Sequence, residues 1–150
     1  MLKTTLLHPE ILAVLGSAGR GDQVLVVDGN YPFSTHSHAK AKRVFLNLAP
    51  GLLEVPQVLE VVRDTVPVEK YEVIEPTGEA DVPVFREFSE LFQGVPCERL
   101  ERAEFHAAAE SADTVLTVVT GDQRPYATIL LTVGAVEAED DLPTFEHPPG

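Results

Sequence analysis

The run Val24–Val27 is four consecutive apolar residues, three of them β-branched, held between chain breakers. Gly16, Gly19 and Gly21 precede it, and Asp28-Gly29-Asn30-Tyr31-Pro32 follows. Such a run is too short for a helix and has no alternation, so it reads as a strand buried on both faces. A strand of that kind needs cover above and below, which constrains the fold more than any other feature of the chain. Asp28 stands at its C-terminal end, where open α/β sheets place ligand sites. An aspartate in that place is also a common turn former, so position by itself leaves both readings open.

The rest of the chain alternates helical and extended signals. Pro9 opens a helical pattern carried by Leu7, Ile11, Val14 and Leu15 and stopped at Gly16. Arg43 to Leu48 suits a second short strand, and Val58, Leu59, Val62 and Val66 form one stripe of a helix from about Pro56 to Thr65. Tyr71 to Ile74 reads as a strand, and residues 75–83 as an exposed loop. Phe85, Phe88, Leu91 and Phe92 make the apolar stripe of a further helix ended by Gly94. Arg99 to Glu104 is ambiguous, Phe105 to Ser111 is alanine-rich and helical, and Thr114 to Thr120 is the clearest strand. A last strand is expected over Tyr126 to Gly134. Alternation of this kind predicts a single three-layer α/β domain around a largely parallel central sheet, over residues 1–136. Residues 137–150 form an acidic, proline-rich tail expected to be mobile or draped on the surface.

Charge narrows the partners. The chain has 24 acidic against 11 basic residues, a formal charge of −13, which disfavours nucleic acid and anionic membranes. No apolar stretch approaches a membrane span, and the segment beginning MLKTTLLHPE lacks the features of a signal peptide, so the expected location is the cytoplasm. The single Cys97 excludes an internal disulfide; with Val95 and Pro96 beside it, the expectation is a buried structural thiol without activation.

Motifs for nucleotide, hydride or serine-hydrolase chemistry are absent. His36 and His38 would face the same side of an extended segment, but no third metal ligand lies nearby, and two ordinary loop histidines are the alternative. His106, in the alanine-rich helix, reads as a partly buried, hydrogen-bonded histidine. Asp28, Arg102 and Tyr126 with Thr128 lie near strand ends and supply a carboxylate, a guanidinium, a phenol and a hydroxyl. That set suits a polyhydroxylated neutral ligand, which points to a sugar.

These residues also carry a resemblance. Gly19-Arg20-Gly21-Asp22, five residues, then Asp28-Gly29-Asn30-Tyr31-Pro32 resembles the G-H-G-D-(x)5-D-A-x-x-P signature of the D-ribose pyranase and L-fucose mutarotase (RbsD/FucU) family. The segment TGDQRPYATILLTVGAV resembles that family's T-G-x-x-x-x-Y-x-N-I-L-L-x-x-G-V ending. Pro96-Cys97 and Arg102, three residues before Phe105, are similar to the fucose branch. The resemblance covers Met1 to Val136. It implies an RbsD-like α/β protomer in a ring-like homo-oligomer, commonly a decamer. It implies interconversion of monosaccharide anomers or ring forms without a cofactor or metal.

Carried over by position, Asp28, Arg102, Tyr126, Ala127 and Thr128 contact the sugar, Asp28 also acts in catalysis, and Arg20 takes the place of the family's general-acid histidine. Arginine stays protonated at physiological pH and is a poor general acid. Thr128 stands where the family has asparagine. His36, His38 and His106 are therefore auxiliary candidates for the missing acid. The alternative function is a non-catalytic protein binding a sugar, sugar phosphate or sugar acid on the same scaffold.

Overall fold

The computed structural model describes residues 1–78 and 81–137. Its elements in chain order are α1 (Pro9–Ser17), β1 (Gln23–Val27), β2 (Lys42–Phe45), α2 (Val55–Arg63) and β3 (Val68–Ile74). Then come α3 (Pro83–Leu91), β4 (Cys97–Leu100), α4 (Arg102–Glu110), β5 (Thr114–Val119) and β6 (Ile129–Val133). The six strands form one sheet in the order β2-β5-β1-β6-β3-β4. β1 and β2 both run parallel to β5, and β3 runs parallel to β4. β6 is antiparallel to both its neighbours, so the other strands all point one way and the sheet is largely parallel, as expected.

The period of two along each strand sorts its side chains between two cores. Val24 and Val26 of β1 pack with Ile11 and Leu15 of α1, Leu59 and Val62 of α2, and Phe88 of α3. Leu25 and Val27 pack on the opposite face with Phe105 and Ala109 of α4, together with Tyr31. This is the physical basis of the unbroken apolar run, and it makes three layers with three helices on one side and α4 on the other.

The helices begin where the sequence supplies an end group. Pro9 opens α1, whose His8 Nδ1 accepts the Ile11 N–H at 3.4 Å. Gln57 Oε1 accepts the Glu54 N–H at 2.9 Å before α2, closing its first turn. The ambiguous segment from Arg99 resolves into the end of β4 and the start of α4.

Four expectations are corrected. β2 stops at Phe45, because Pro50 and Gly51 turn the chain and the Leu48 N–H donates back to Leu46 and Leu52 carbonyls. Leu7 lies outside α1 and is exposed. Cys97 is exposed on the edge strand β4, since no strand covers that side. Its thiol is nevertheless pushed above its ordinary pKa by partial burial, so it is not activated. Tyr126 to Thr128 are not strand: Tyr126 has a φ of 61°, in the left-handed region, and β6 starts only at Ile129. The tail expected from residue 137 lies, but for Glu137, outside the described residues. No described helix is long and apolar enough to cross a membrane.

Candidate functional site

Parallel strands end on one edge of the sheet, and there the loops converge. Asp28 directly follows β1, Arg102 is the first residue of α4 after β4, and the 120–128 segment links β5 to β6. Thr120 ties that segment to the tip of β1, its N–H and hydroxyl both donating to the Val27 carbonyl at 3.1 and 2.8 Å. The Gly29 N–H donates to the Asp122 carbonyl at 2.8 Å. The result is a cavity of about 330 Å³ lined by Asp28, Tyr31, Arg102, Arg124 and Tyr126, among others.

Asp28 is held before any ligand arrives. One carboxylate oxygen accepts the Asn30 N–H at 2.8 Å and the other accepts the Thr128 hydroxyl at 2.9 Å. The same Thr128 oxygen accepts the Asp28 N–H at 3.1 Å. Thr128 is 1% exposed and does not line the cavity, and Ala127 is likewise buried. Of the five residues expected to contact a sugar, the structure therefore brings Asp28, Arg102 and Tyr126 to the cavity, while the Thr128 side chain orients Asp28 from behind.

The Tyr126 phenol accepts the Thr77 N–H at 3.2 Å and lies 3.3 Å from the Thr77 hydroxyl. These bonds, side chain first and backbone second, hold its pKa below the ordinary 10, with the charge of Arg102 adding to the effect. A left-handed conformation costs a non-glycine residue on the order of 1–3 kcal/mol and concentrates at functional sites. Here it falls on a residue that lines the cavity.

Arg20 lies elsewhere. It precedes β1 and Asp28 follows it, so the five-residue strand separates them by about 16 Å at the usual rise per residue. Its side chain is 71% exposed and pairs with Glu69 at 3.2 Å. Within one chain Arg20 and Asp28 do not share a site, and the reason is the extended geometry of β1.

The three histidines form a cluster beside the cavity rather than in it. His36 stacks on His106 with ring centroids 3.9 Å apart at an angle of 12°, and its Nδ1 lies 3.0 Å from Glu110 Oε1. His38 Nδ1 donates to the Glu110 carbonyl at 3.1 Å. His106 follows Arg102 by one helical turn, and the Tyr31 ring, edge-on to it at 5.6 Å, belongs to the cavity wall in its place. The expected hydrogen bond of His106 is missing, since its Nε2 is buried without a partner. Burial, then His36 and Arg102, depress its pKa. Among the described residues no group of three His, Cys, Asp or Glu could hold a metal ion.

Sequence reading passed over Tyr31, Thr77 and Arg124. Tyr31 and Arg124 stand inside the two quoted motifs, so their place in the chain was the available signal; Thr77 has none, because only folding brings it to Tyr126.

Comparison with known proteins bears on the family and the fold. Residues 1–136 match the RbsD / FucU transport protein family. A fucose mutarotase of Mus musculus is 30% identical, over 87% of this chain and 91% of that protein. A D-ribose pyranase of Chloroflexus aggregans is 27% identical, over 91% of this chain and 99% of that protein. In fold, the chain is similar to Bacillus subtilis RbsD complexed with D-ribose, with a TM-score of 0.80 at 23% identity, covering 91% of this chain and all (100%) of that one. FucU from Bifidobacterium longum gives a TM-score of 0.75 at 23% identity, covering 87% and 95%. Match, fold and loop convergence agree: this chain belongs to the RbsD/FucU family.

Proposed function

We propose that the chain is a cofactor-independent monosaccharide mutarotase or pyranase. The observation that carries this is the convergence of Asp28, Arg102 and Tyr126 on one cavity of about 330 Å³, in a family whose members include fucose mutarotases and D-ribose pyranases. Changing an anomer requires loss of the anomeric hydroxyl proton as the bond from the anomeric carbon to the ring oxygen breaks, while that oxygen gains a proton. Reclosure on the other face reverses both transfers. Asp28, oriented by Thr128 and Asn30, takes the anomeric proton. Tyr126, whose phenol is made more acidic by Thr77, protonates the ring oxygen, and Arg102 holds neighbouring hydroxyls. Arg20 reaches a site only if another copy of the chain brings it there.

The similarity of Arg102 and Phe105 to the fucose branch favours a fucose-like over a ribose-like substrate. We further infer a homo-oligomer of ring type, working in the cytoplasm; Phe45, Leu48, Leu52 and Leu53 are exposed large apolar residues, with Leu48 at 85%, and they support self-association. Exchange NMR on L-fucose and D-ribose tests the activity. The native chain is expected to accelerate anomer exchange, and Asp28→Asn to lower the rate about 10²- to 10⁴-fold. No acceleration for any monosaccharide removes the reading. A second reading, a non-catalytic protein binding a sugar or a sugar acid or phosphate, is favoured by Arg20, an always-charged residue at the family's acid position. It predicts saturable binding without exchange.

A further inference from the structure

Among the described residues, Tyr126 is the one non-glycine with a positive φ. A tyrosine stays in that conformation only when its surroundings hold it there. Its ring packs against both cores, but a largely apolar cavity of about 430 Å³ also lies against Pro125 and Tyr126, walled by Val82, Pro83 and Val84. The segment has room to relax into that space.

Arg124, two residues earlier, ties the loop to its surroundings. Its Nε lies 3.1 Å from Asp122 Oδ1, and its Nη2 lies 2.9 Å from both Asp122 Oδ2 and Glu54 Oε2. Its Nη1 meets Glu87 Oε2. Glu54 immediately precedes α2 and Glu87 lies within α3, so one guanidinium joins its own loop to two helices. Asp122, 1% exposed, accepts the Arg124 N–H at 3.0 Å on one oxygen and the Val55 N–H at 3.0 Å on the other. The loop is thereby closed on itself and attached to the start of α2. Four carboxylate oxygens around one planar, five-donor group make a fork geometry that an ammonium does not reproduce.

We propose that Arg124 is a positioning residue: by bridging Asp122, Glu54 and Glu87 it locks the 121–126 segment and aims the Tyr126 phenol into the sugar cavity. It acts through Tyr126, not by transferring a proton itself. Only the kinetic consequence rests on the sugar-isomerase reading.

The test reads Tyr126 directly. The chain has three tyrosines. Burial pushes Tyr71 up to about 12 and Tyr31 further still, whereas Tyr126 is held below 10, so it is the first to ionise. Each is followed by NMR with ring-labelled tyrosine across alkaline pH, in the native chain, Arg124→Lys and the pair Asp122→Asn with Arg124→Met. The pair avoids leaving a buried carboxylate without its partner. In both variants the Tyr126 midpoint is expected to rise towards 10 as the phenol leaves Thr77, with Tyr31 and Tyr71 unchanged. A Tyr126 midpoint equal to the native one in both variants overturns the proposal. With sugar, Arg124→Lys is expected to lower the exchange rate at saturation about 10- to 100-fold while the half-saturating concentration changes little. A native chain without exchange activity defeats the isomerase reading alone, and the tyrosine titration still decides the role of Arg124.

Discussion

Thr128→Val tests whether the hydroxyl behind Asp28 is structural in the way its geometry requires. Valine keeps the shape of threonine and removes one oxygen. That oxygen accepts the Asp28 N–H at 3.1 Å and donates to Asp28 Oδ2 at 2.9 Å, in a pocket where Thr128 is 1% and Asp28 8% exposed. The Asp28 N–H, in a residue only 8% exposed, is left without its acceptor, and the carboxylate loses the donor that orients it towards the cavity. An orphaned buried donor costs about 1–3 kcal/mol, and a lost hydrogen bond to a charged group about 1.5–3 kcal/mol. The two losses share one hydroxyl and are not independent, so the expected destabilisation is about 2–4 kcal/mol. For a chain of this size that lowers Tm by about 5–15 °C. Thr128→Ser is the control: it keeps the hydroxyl, deletes a methyl and is expected to cost about 1 kcal/mol. Calorimetry and urea unfolding at fixed protein concentration measure both, since any self-association makes Tm depend on concentration. A valine variant as stable as the serine variant would refute the reasoning, because the methyl rather than the hydroxyl would then carry the contribution.

Gly121→Ala is expected to lose about 1–3 kcal/mol, since a Cβ there would stand 2.5 Å from the Ala49 carbonyl oxygen and 2.6 Å from that of Leu52, both backbone atoms; chemical unfolding measures it, and an unchanged midpoint contradicts the contact. Arg20→His is expected to change unfolding free energy by less than about 1 kcal/mol, because the Arg20–Glu69 pair is a surface one; a larger loss would show that the pair is structural. His106 is held below its ordinary 6.5, so the unfolded chain binds that proton first and stability falls as pH drops through 6.5 and below. His106→Gln is therefore expected to flatten the native slope of stability between about pH 7 and 5, and identical slopes for the two proteins would exclude the effect.

Much of this molecule is legible in local chemistry. Val24–Val27 is apolar at every position because both faces of β1 are covered, and that alone demands layers above and below a sheet. Phe88, Leu59 and Ile11 announce their helices by spacing, since burial of one face imposes the helical period. Asp28 and Tyr126 are marked by their motifs, and the motifs carry the family. What the sequence could not decide is what depends on distant partners. That β6 runs antiparallel between β1 and β3 is settled by pairing, not by its composition. Tyr126 looks like the start of a strand, yet in its loop it is left-handed, and Cys97 looks buried until β4 proves to be an edge. Arg20 and Asp28 are close in sequence, yet an extended strand carries them to opposite ends of the sheet. Thr128 and Asp28 are 100 residues apart and share two hydrogen bonds. Local propensity is written residue by residue, whereas the site is made of contacts that exist only once the sheet has closed.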